Sequence, residues 1–254
     1  MSAWLTGRVV ENRKWTDTLF SLRVQLGTGA PRLNFEAGQF VRIGLDLNGE
    51  RIARPFSFVN APDDPVLEFY GVVVPEGPLS PALARLKPGE TLHIADNPAG
   101  WLILSELPPA EELWLVATGT GIAPFLSMLR TEVPWQRYGK VILVHGVRQA
   151  TELVYRDLIE QLMRSQPGKL SYVRFTSREK LPGARADDLH GRIPAAVADG
   201  RLEAAGAPIS AERSQFMLCG NPQMLKDMQA ALVARGLKKH RRRSPGQITV
   251  ESFW

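Results

Sequence analysis

The segment Leu113–Arg130 constrains this chain more than any other. It opens on an apolar run, Leu113 to Ala117, that reads as a buried strand. Thr118-Gly119-Thr120-Gly121 follows, with Pro124 three residues on. Phe125, Leu126, Met128 and Leu129 then supply one face of a helix. Pro124 suits the first helical turn, where its missing N–H costs little. Strand, glycine turn and helix in that order let the backbone come close to a phosphate or ribose, and the helix start offers N–H groups to an anion. A plain tight βα turn satisfies the same pattern. The spacing is G-x-G-x-x-P, so the third glycine of the usual dinucleotide fingerprint is missing. No Lys-Ser/Thr pair follows, which argues against phosphate-loop kinase chemistry.

The length of 254 residues suits two ordinary domains. With 44% hydrophobic and 22% charged residues, the composition is that of a soluble globular protein. No apolar run reaches the ~18 residues that span a bilayer. The start, Met1-Ser-Ala-Trp-Leu-Thr-Gly-Arg8, lacks the charged head and apolar core of a secretion signal. A single cysteine, Cys219, excludes an internal disulfide and a cysteine-ligated iron–sulfur cluster, and a reducing cytoplasm fits. His93, His145, His190 and His240 share no metal-ligand spacing, so no metal site is expected. The net charge of +5 is uneven. Residues 235–254 hold Arg235, Lys238, Lys239, Arg241, Arg242 and Arg243 against Glu251 alone, and the rest of the chain balances. A basic tail on a neutral body attracts an acidic protein, a nucleic acid or a phosphate group, unless it is simply a solvated charge run. The run lacks the interleaved aromatics of a nucleic-acid stacking platform.

The first ~100 residues have the rhythm of short strands with Gly/Pro turns, which favours a barrel. Leu19–Leu26 and Phe40–Leu47 alternate, and Asn48-Gly49 signals a hairpin. Arg51–Val59, Leu67–Val74 and Thr91–Ile94 read as further strands, and Ser80–Leu86 as a short helix. After Pro108-Pro109 the rhythm changes. Strands are expected at Leu113–Ala117, Lys140–His145, Lys169–Phe175 and Phe216–Cys219. Helices are expected after Pro124, over Glu152–Arg164, and from Asn221 to about Arg235. This alternation argues a parallel sheet with helices on both faces. The expected domains are residues 1–107 and 108–254.

Two peptides of the first half carry chemistry. Arg54-Pro55-Phe56-Ser57 joins a guanidinium, a ring and a hydroxyl on one strand, a set suited to a flat, anionic, hydrogen-bonding ligand; an ordinary amphipathic barrel strand looks the same. In Pro75-Glu-Gly-Pro-Leu-Ser80, Gly77 permits a turn and Ser80 can cap the helix after it.

Taken in order, Ala37-Gly-Gln-Phe40, Arg54-Pro-Phe-Ser57, Gly77-Pro-Leu-Ser80, Gly119-Thr-Gly-Ile-Ala-Pro124, Cys219-Gly-Asn-Pro222 and the final Val250-Glu-Ser-Phe-Trp254 resemble the ferredoxin–NADP⁺ reductase family. The similarity spans the whole chain and is strongest to bacterial ferredoxin/flavodoxin–NADP⁺ reductases. It implies a two-domain β plus α/β fold, with a six-stranded antiparallel barrel for FAD and a five-stranded parallel sheet for NADP(H). By that resemblance Arg54 meets the FAD pyrophosphate, Phe56 stacks on the isoalloxazine beside Pro55, and Ser57 lies near flavin N5. Tyr70, Pro78, Leu79, Ser80, Thr120, Phe253 and Trp254 complete the FAD site. Phe56 departs from the commoner tyrosine, so stacking survives and a phenol hydrogen bond is lost. The NADP positions implied are Thr118, Gly119, Arg148, Ser177, Arg178, Arg192, Asn221 and Asp227. Arginines at strand ends also favour a 2′-phosphate on their own chemistry. Cys219 shapes the nicotinamide pocket, and it joins Ser57, Glu251 and Trp254 as the implied catalytic group. Lys238, Lys239, Arg241, Arg242 and Arg243 are the implied docking residues for an acidic ferredoxin or flavodoxin. The implied protein is a monomer that engages neither nucleic acid nor membrane. The competing readings are an NADPH reductase serving an oxygenase or free flavin, and a non-catalytic electron-transfer subunit.

The same resemblance lays Trp254 on the ring face where the nicotinamide must stack. Deleting Trp254 is expected to tighten NADP⁺ binding, raise long-wavelength charge-transfer absorbance and weaken discrimination against NADH. Titration of the full-length and truncated proteins with NADP⁺ checks this, and identical affinity and spectra would contradict it.

Overall fold

The computed structural model describes residues 3–181, 185 and 187–252. Its first half is six antiparallel strands: β1 (Trp4–Lys14), β2 (Leu19–Leu26), β3 (Phe40–Leu47), β4 (Glu50–Ser57), β5 (Leu67–Val72) and β6 (Thr91–Ala95). The strand order is β4-β3-β6-β1-β2-β5. The sheet curls around Val9, Phe20, Leu22, Val24, Ile43, Phe69 and Ile94. Its two edges meet where Phe58 bridges Phe69 and Val59 N–H donates to the Glu68 carbonyl at 2.8 Å. At the tip of β3–β4, Asn48 and Gly49 both take positive φ (54° and 84°), which matches the right-handed twist of the flanking strands.

Two local expectations differ. β1 was not expected, because it buries only Gly7 and Val9 and a bulge between Val9 and Glu11 breaks its alternation. The helix after the Gly77 turn, α1, is Leu79–Leu83, shorter than Ser80–Leu86. Ser80 does not cap it; its hydroxyl accepts from Val74 N–H at 2.9 Å and so ties down the preceding loop.

The second half alternates: β7 (Glu112–Thr118), α2 (Ala123–Leu129), α3 (Val133–Arg137), β8 (Lys140–Val147), α4 (Arg156–Ser165), β9 (Leu170–Thr176), β10 (Asp188–His190), α5 (Ile193–Ala198), α6 (Arg201–Ala205), β11 (Ser214–Gly220), α7 (Pro222–Ala234) and β12 (Ile248–Ser252). The order is β10-β9-β8-β7-β11-β12, all parallel. The sheet therefore has six strands where five were expected. Its edges are the hard ones to read. β10 is only three residues, held by a two-pronged Arg174–Asp188 pair at 2.6 and 2.5 Å. β12 follows a charged turn that masks it.

The sheet is buried on both faces, as parallel sheets are. Leu113, Leu115 and Ala117 of β7 join one core with α2 and Ile159 of α4; Trp114 and Val116 join the other with α5 and α7. The first of these cores also takes in Leu19, Val59 and Tyr70 of the barrel, so the two halves share apolar packing. Polar contacts orient the seam. Buried Ser127 donates to the Asn60 carbonyl at 2.7 Å. Arg130, at the end of α2, pairs with Asp64 (2.9 Å) and Glu68 (3.2 Å), and Tyr155 O–H donates to Glu68 at 2.9 Å.

The basic segment 238–243 is not an extended tail. It is a turn that returns the chain to the sheet: Gln247 and Ile248 N–H donate to the Lys238 carbonyl (2.8 and 3.0 Å), and His240 N–H to Ile248 (2.8 Å). Among the described residues no helix is long and apolar enough to cross a membrane.

Candidate functional site

A cavity of about 410 Å³ opens where β4 and β5 run out against the second half. Arg54, Pro55, Phe56 and Ser57 form one wall, Tyr70 and Gly71 another, Gly77–Ser80 a third, and Thr120 with Ala123 come from across the seam. This brings the expected barrel residues together. Gly71 explains the flatness of one side. A Cβ there would sit 2.8 Å from Phe20 Cζ and 2.9 Å from Phe56 Cε1, so the Phe56 ring lies against bare backbone. Two hydroxyls, Ser57 Oγ and Tyr70 O–H, are buried without a partner among the described residues. Buried polar atoms of that kind await a polar ligand. Burial first, and the nearby Glu152 charge second, push the Tyr70 phenol up, so it stays a donor. Arg54 gives one N–H to the Ala53 carbonyl at 2.9 Å, one of the five donors a guanidinium carries. A flat slot with unpartnered hydroxyls and a cation at its mouth fits a heterocycle linked to phosphate.

A second cavity of about 510 Å³ lies at the carboxyl ends of β7, β8, β9 and β11, where open parallel sheets bind ligands. Thr118, Gly119, Arg148, Ser177, Arg192, Asn221 and Asp227 line it, as the sequence suggested. Arg178 does not; its N–H donates to the Arg148 carbonyl at 2.9 Å, which keeps it beside the rim. Asn221 also lines the cavity while its Oδ1 caps α7 by accepting from Gln223 (2.9 Å) and Met224 (3.2 Å) N–H. Asp227 accepts from Gln223 Nε2 at 2.7 Å. Thr120 and Val72 line both cavities, so the two are neighbours across one wall.

The glycine turn serves packing as well as any ligand. A Cβ on Gly121 would lie 2.6 Å from the Cys219 carbonyl oxygen, and one on Gly220 2.3 Å from Thr118 Oγ1. The ends of β7 and β11 touch backbone to backbone, and Asn221 N–H donates to Thr118 Oγ1 at 2.9 Å. Gly119 sits at φ 53°. Its carbonyl accepts from Nε2 of fully buried His145 at 3.0 Å, which fixes the tautomer with the proton on Nε2. Burial pushes the His145 pKa down to about 4, so the ring is a neutral prop for the turn.

Sequence reasoning missed four participants. Thr18 and Leu19 reach the second cavity from the barrel, and Glu152 lines it. Glu152 had been given to a helix, but that helix starts at Arg156; Glu152 ends a 3₁₀ turn and accepts from Arg148 N–H at 2.9 Å. His145 was missed too, because a lone histidine inside an apolar strand gives no signal of its partner.

Cys219 and Glu251 face each other in register on β11 and β12. Burial, with the Glu251 charge adding to it, raises the Cys219 thiol well above its usual range, which excludes a nucleophilic thiolate. Neither residue lines either cavity. Burial also pushes the Glu251 carboxyl up to about 7, against the lowering effect of a hydrogen bond from the Trp101 backbone. Its Oε2 is buried and has no hydrogen-bond partner among the described residues. Phe253 and Trp254 lie outside the described residues.

Of the basic cluster, Lys238, Lys239, Arg241 and Arg243 are exposed. Arg242 is committed elsewhere. It donates twice to the Glu106 carboxylate (3.1 and 2.9 Å) and lies 3.7 Å from the Trp101 ring centroid. Arg242 thus differs from its four neighbours in carrying a carboxylate partner, although it too is exposed.

Two oxidoreductase families match the chain in tandem: the FAD-binding domain over residues 6–101 and the NAD-binding domain over 115–230. A flavodoxin/ferredoxin–NADP reductase of Escherichia coli (strain K12) is 46% identical over 256 residues, covering 100% of both chains. A ferredoxin–NADP reductase of Pseudomonas aeruginosa is 37% identical, covering 99% of this chain and 98% of its own. A solved ferredoxin NADP⁺ reductase from Neisseria gonorrhoeae with bound FAD and NADP aligns at TM-score 0.92 and 31% identity over 100% of both chains.

Glu251 and His145 pull stability in opposite directions. Glu251, raised from 4.5 to about 7, holds more protons folded than unfolded, so its contribution falls as pH rises through that window. His145, lowered from 6.5 to about 4, holds fewer, so its contribution rises with pH over its own window. Glu251→Gln removes only the falling part. Relative to wild type, the variant is expected to gain about 3 kcal/mol between pH 4.5 and pH 7, read from urea unfolding. Parallel pH profiles would contradict the assignment.

Proposed function

This chain belongs to the flavodoxin/ferredoxin–NADP reductase family and is an FAD-dependent oxidoreductase working between NADP(H) and ferredoxin or flavodoxin; we propose that its first cavity holds FAD and its second NADP(H). The observation that carries this division is the wall of Thr120 and Val72 common to both cavities, beside the unpartnered hydroxyls of the first. When bound, FAD supplies the ability to take a hydride and to release electrons singly.

The chain's own residues bind and orient. Arg54 neutralises the pyrophosphate, Phe56 and Pro55 hold the ring flat, and Ser57 and Tyr70 offer hydroxyls to its polar edge. Pro78, Leu79 and Ser80 close the far wall, and Thr120 crosses the seam to meet the ring. Phe253 and Trp254, outside the described residues, would complete the FAD site in this reading, as the resemblance of the chain's end implies. Arg148, Ser177 and Arg192 surround the 2′-phosphate, with Arg178 on the rim, while Thr118, Gly119, Asn221 and Asp227 position the rest of the dinucleotide. Cys219 supports the glycine turn as an uncharged wall. Glu251 can hold or give up a proton near neutrality, as a group moving protons at the seam must. Residues 1–107 thus form the FAD unit and 108–254 the NADP(H) unit. Lys238, Lys239, Arg241 and Arg243 attract an acidic carrier, and the protein works as a cytoplasmic monomer.

Anaerobic mixing with NADPH, then with a bacterial flavodoxin or ferredoxin, tests the reading: the flavin should bleach and the carrier should then be reduced. The purified protein should release FAD on denaturation, and Arg54→Ala should weaken FAD by about 1.5–3 kcal/mol, the scale of a charged hydrogen bond. Release of FMN would contradict the assignment. Arg192→Ala should raise the NADPH KM more than Arg178→Ala does and leave NADH nearly unaffected, since NADH lacks the 2′-phosphate. Equal losses with both coenzymes would mean that Arg192 acts elsewhere.

A further inference from the structure

Trp101 is 62% exposed, more than Val10, Val74, Val133 or Val233, the other exposed large apolar residues among those described. Scattered apolar side chains on a surface are ordinary. This one is built in. The Arg242 guanidinium covers its ring at 3.7 Å, Glu106 fixes that guanidinium with two hydrogen bonds, and the Trp101 backbone bonds Glu251. The indole is thereby held by residues 106, 242 and 251 while most of its surface faces water. A rigid aromatic loses little freedom when a partner covers it, which is why such residues dominate binding energy at interfaces.

Its position matters. Ser57, in the first cavity, pairs with Phe40 across the β3–β4 ladder, and Phe40 bridges Ala99. Trp101 is two residues further on, so the backbone that carries the indole runs beside the strand pair that ends at Ser57. The four exposed cations Lys238, Lys239, Arg241 and Arg243 sit on the same turn as Arg242. An apolar anchor beside a cationic turn complements a partner with an apolar contact patch and carboxylates around it.

We propose that Trp101 is the anchor of the surface that docks the acidic electron-carrier protein, and that Arg242 is its buttress, not a charge that meets the carrier. This rests on the carrier-reductase reading above. Arg242 is already neutralised by Glu106, whereas its exposed neighbours keep their charge for steering. The two parts of the surface then do different things: the cations speed encounter, and the indole sets how firmly the carrier is held.

The test uses FAD-loaded wild type, Trp101→Ala, Trp101→Phe, Glu106→Gln and Arg241→Gln, with NADPH and either a bacterial flavodoxin or a neutral quinone as acceptor, over a range of salt. Trp101→Ala is expected to raise the flavodoxin KM about tenfold, with FAD content and quinone turnover unchanged, and Trp101→Phe to recover most of the loss. Arg241→Gln should flatten the salt dependence, whereas Trp101→Ala should leave it intact. Glu106→Gln is decisive for the buttress. It removes a negative charge and frees the Arg242 cation, yet should raise the flavodoxin KM, by about threefold, because the indole loosens. A lower KM would show that Arg242 is a docking charge after all. An unchanged KM in Trp101→Ala, or an equal loss with quinone, overturns the anchor while the reductase reading stands. Failure of wild type to reduce either flavodoxin or ferredoxin overturns both.

Discussion

The buried hydrogen bond from Ser127 to the Asn60 carbonyl, with the Arg130–Glu68 pair beside it, sets how the barrel sits on the parallel sheet. The apolar packing around it is strong but non-directional, and by itself would tolerate sliding. A buried hydroxyl that must reach one carbonyl does not tolerate it, because an unmade bond there leaves a desolvated acceptor. Tyr155 reinforces the choice. It holds a left-handed φ of 59°, unusual for a bulky residue, and from there its O–H reaches Glu68. The outcome is that Thr120, carried by the second half, lines the cavity of the first. Two cofactors that must exchange a hydride need their reacting atoms within a narrow range of distance and angle, so in the proposed reading the seam belongs to the active site.

The glycine turn shows the same economy of means. Its glycines are required by the approach of β7 to β11, and that approach also exposes the backbone at the strand ends to a dinucleotide. Gly119 is braced by an imidazole kept neutral by burial, so the turn has a rigid support that carries no charge into the site. Cys219 has a comparable role. Its burial removes thiolate chemistry and leaves a small apolar wall behind the turn.

Much of this was legible in the sequence. The alternation in Leu19–Leu26 and Phe40–Leu47, the Asn48-Gly49 hairpin and the strand–turn–helix at Leu113–Arg130 each encode local geometry in side-chain type, and each formed. The peptide Arg54–Ser57 and the Gly77 turn met at one cavity because the sheet curls until its two edges, β4 and β5, come together. What was hidden depends on contacts distant in sequence. β1 has a bulge and little buried surface, so its pairing comes from β2 and β6 and not from its own pattern. β12 is preceded by a charged turn and is identified by its partner β11. Glu152 belongs to the site through a 3₁₀ turn that mimics a helix start. Arg242 looked like its neighbours, and only the fold brings it to Glu106.

The central claim is that the seam positions the two cofactors, beyond holding two stable halves together. The most direct test is the anaerobic rate of flavin reduction by saturating NADPH in Arg130→Ala, measured beside its FAD and NADP⁺ affinities. The account predicts a rate lower by about tenfold or more with both affinities kept, because each cavity survives and only their relation changes. A wild-type rate, in a variant whose unfolding shows that the seam is weakened, would contradict it.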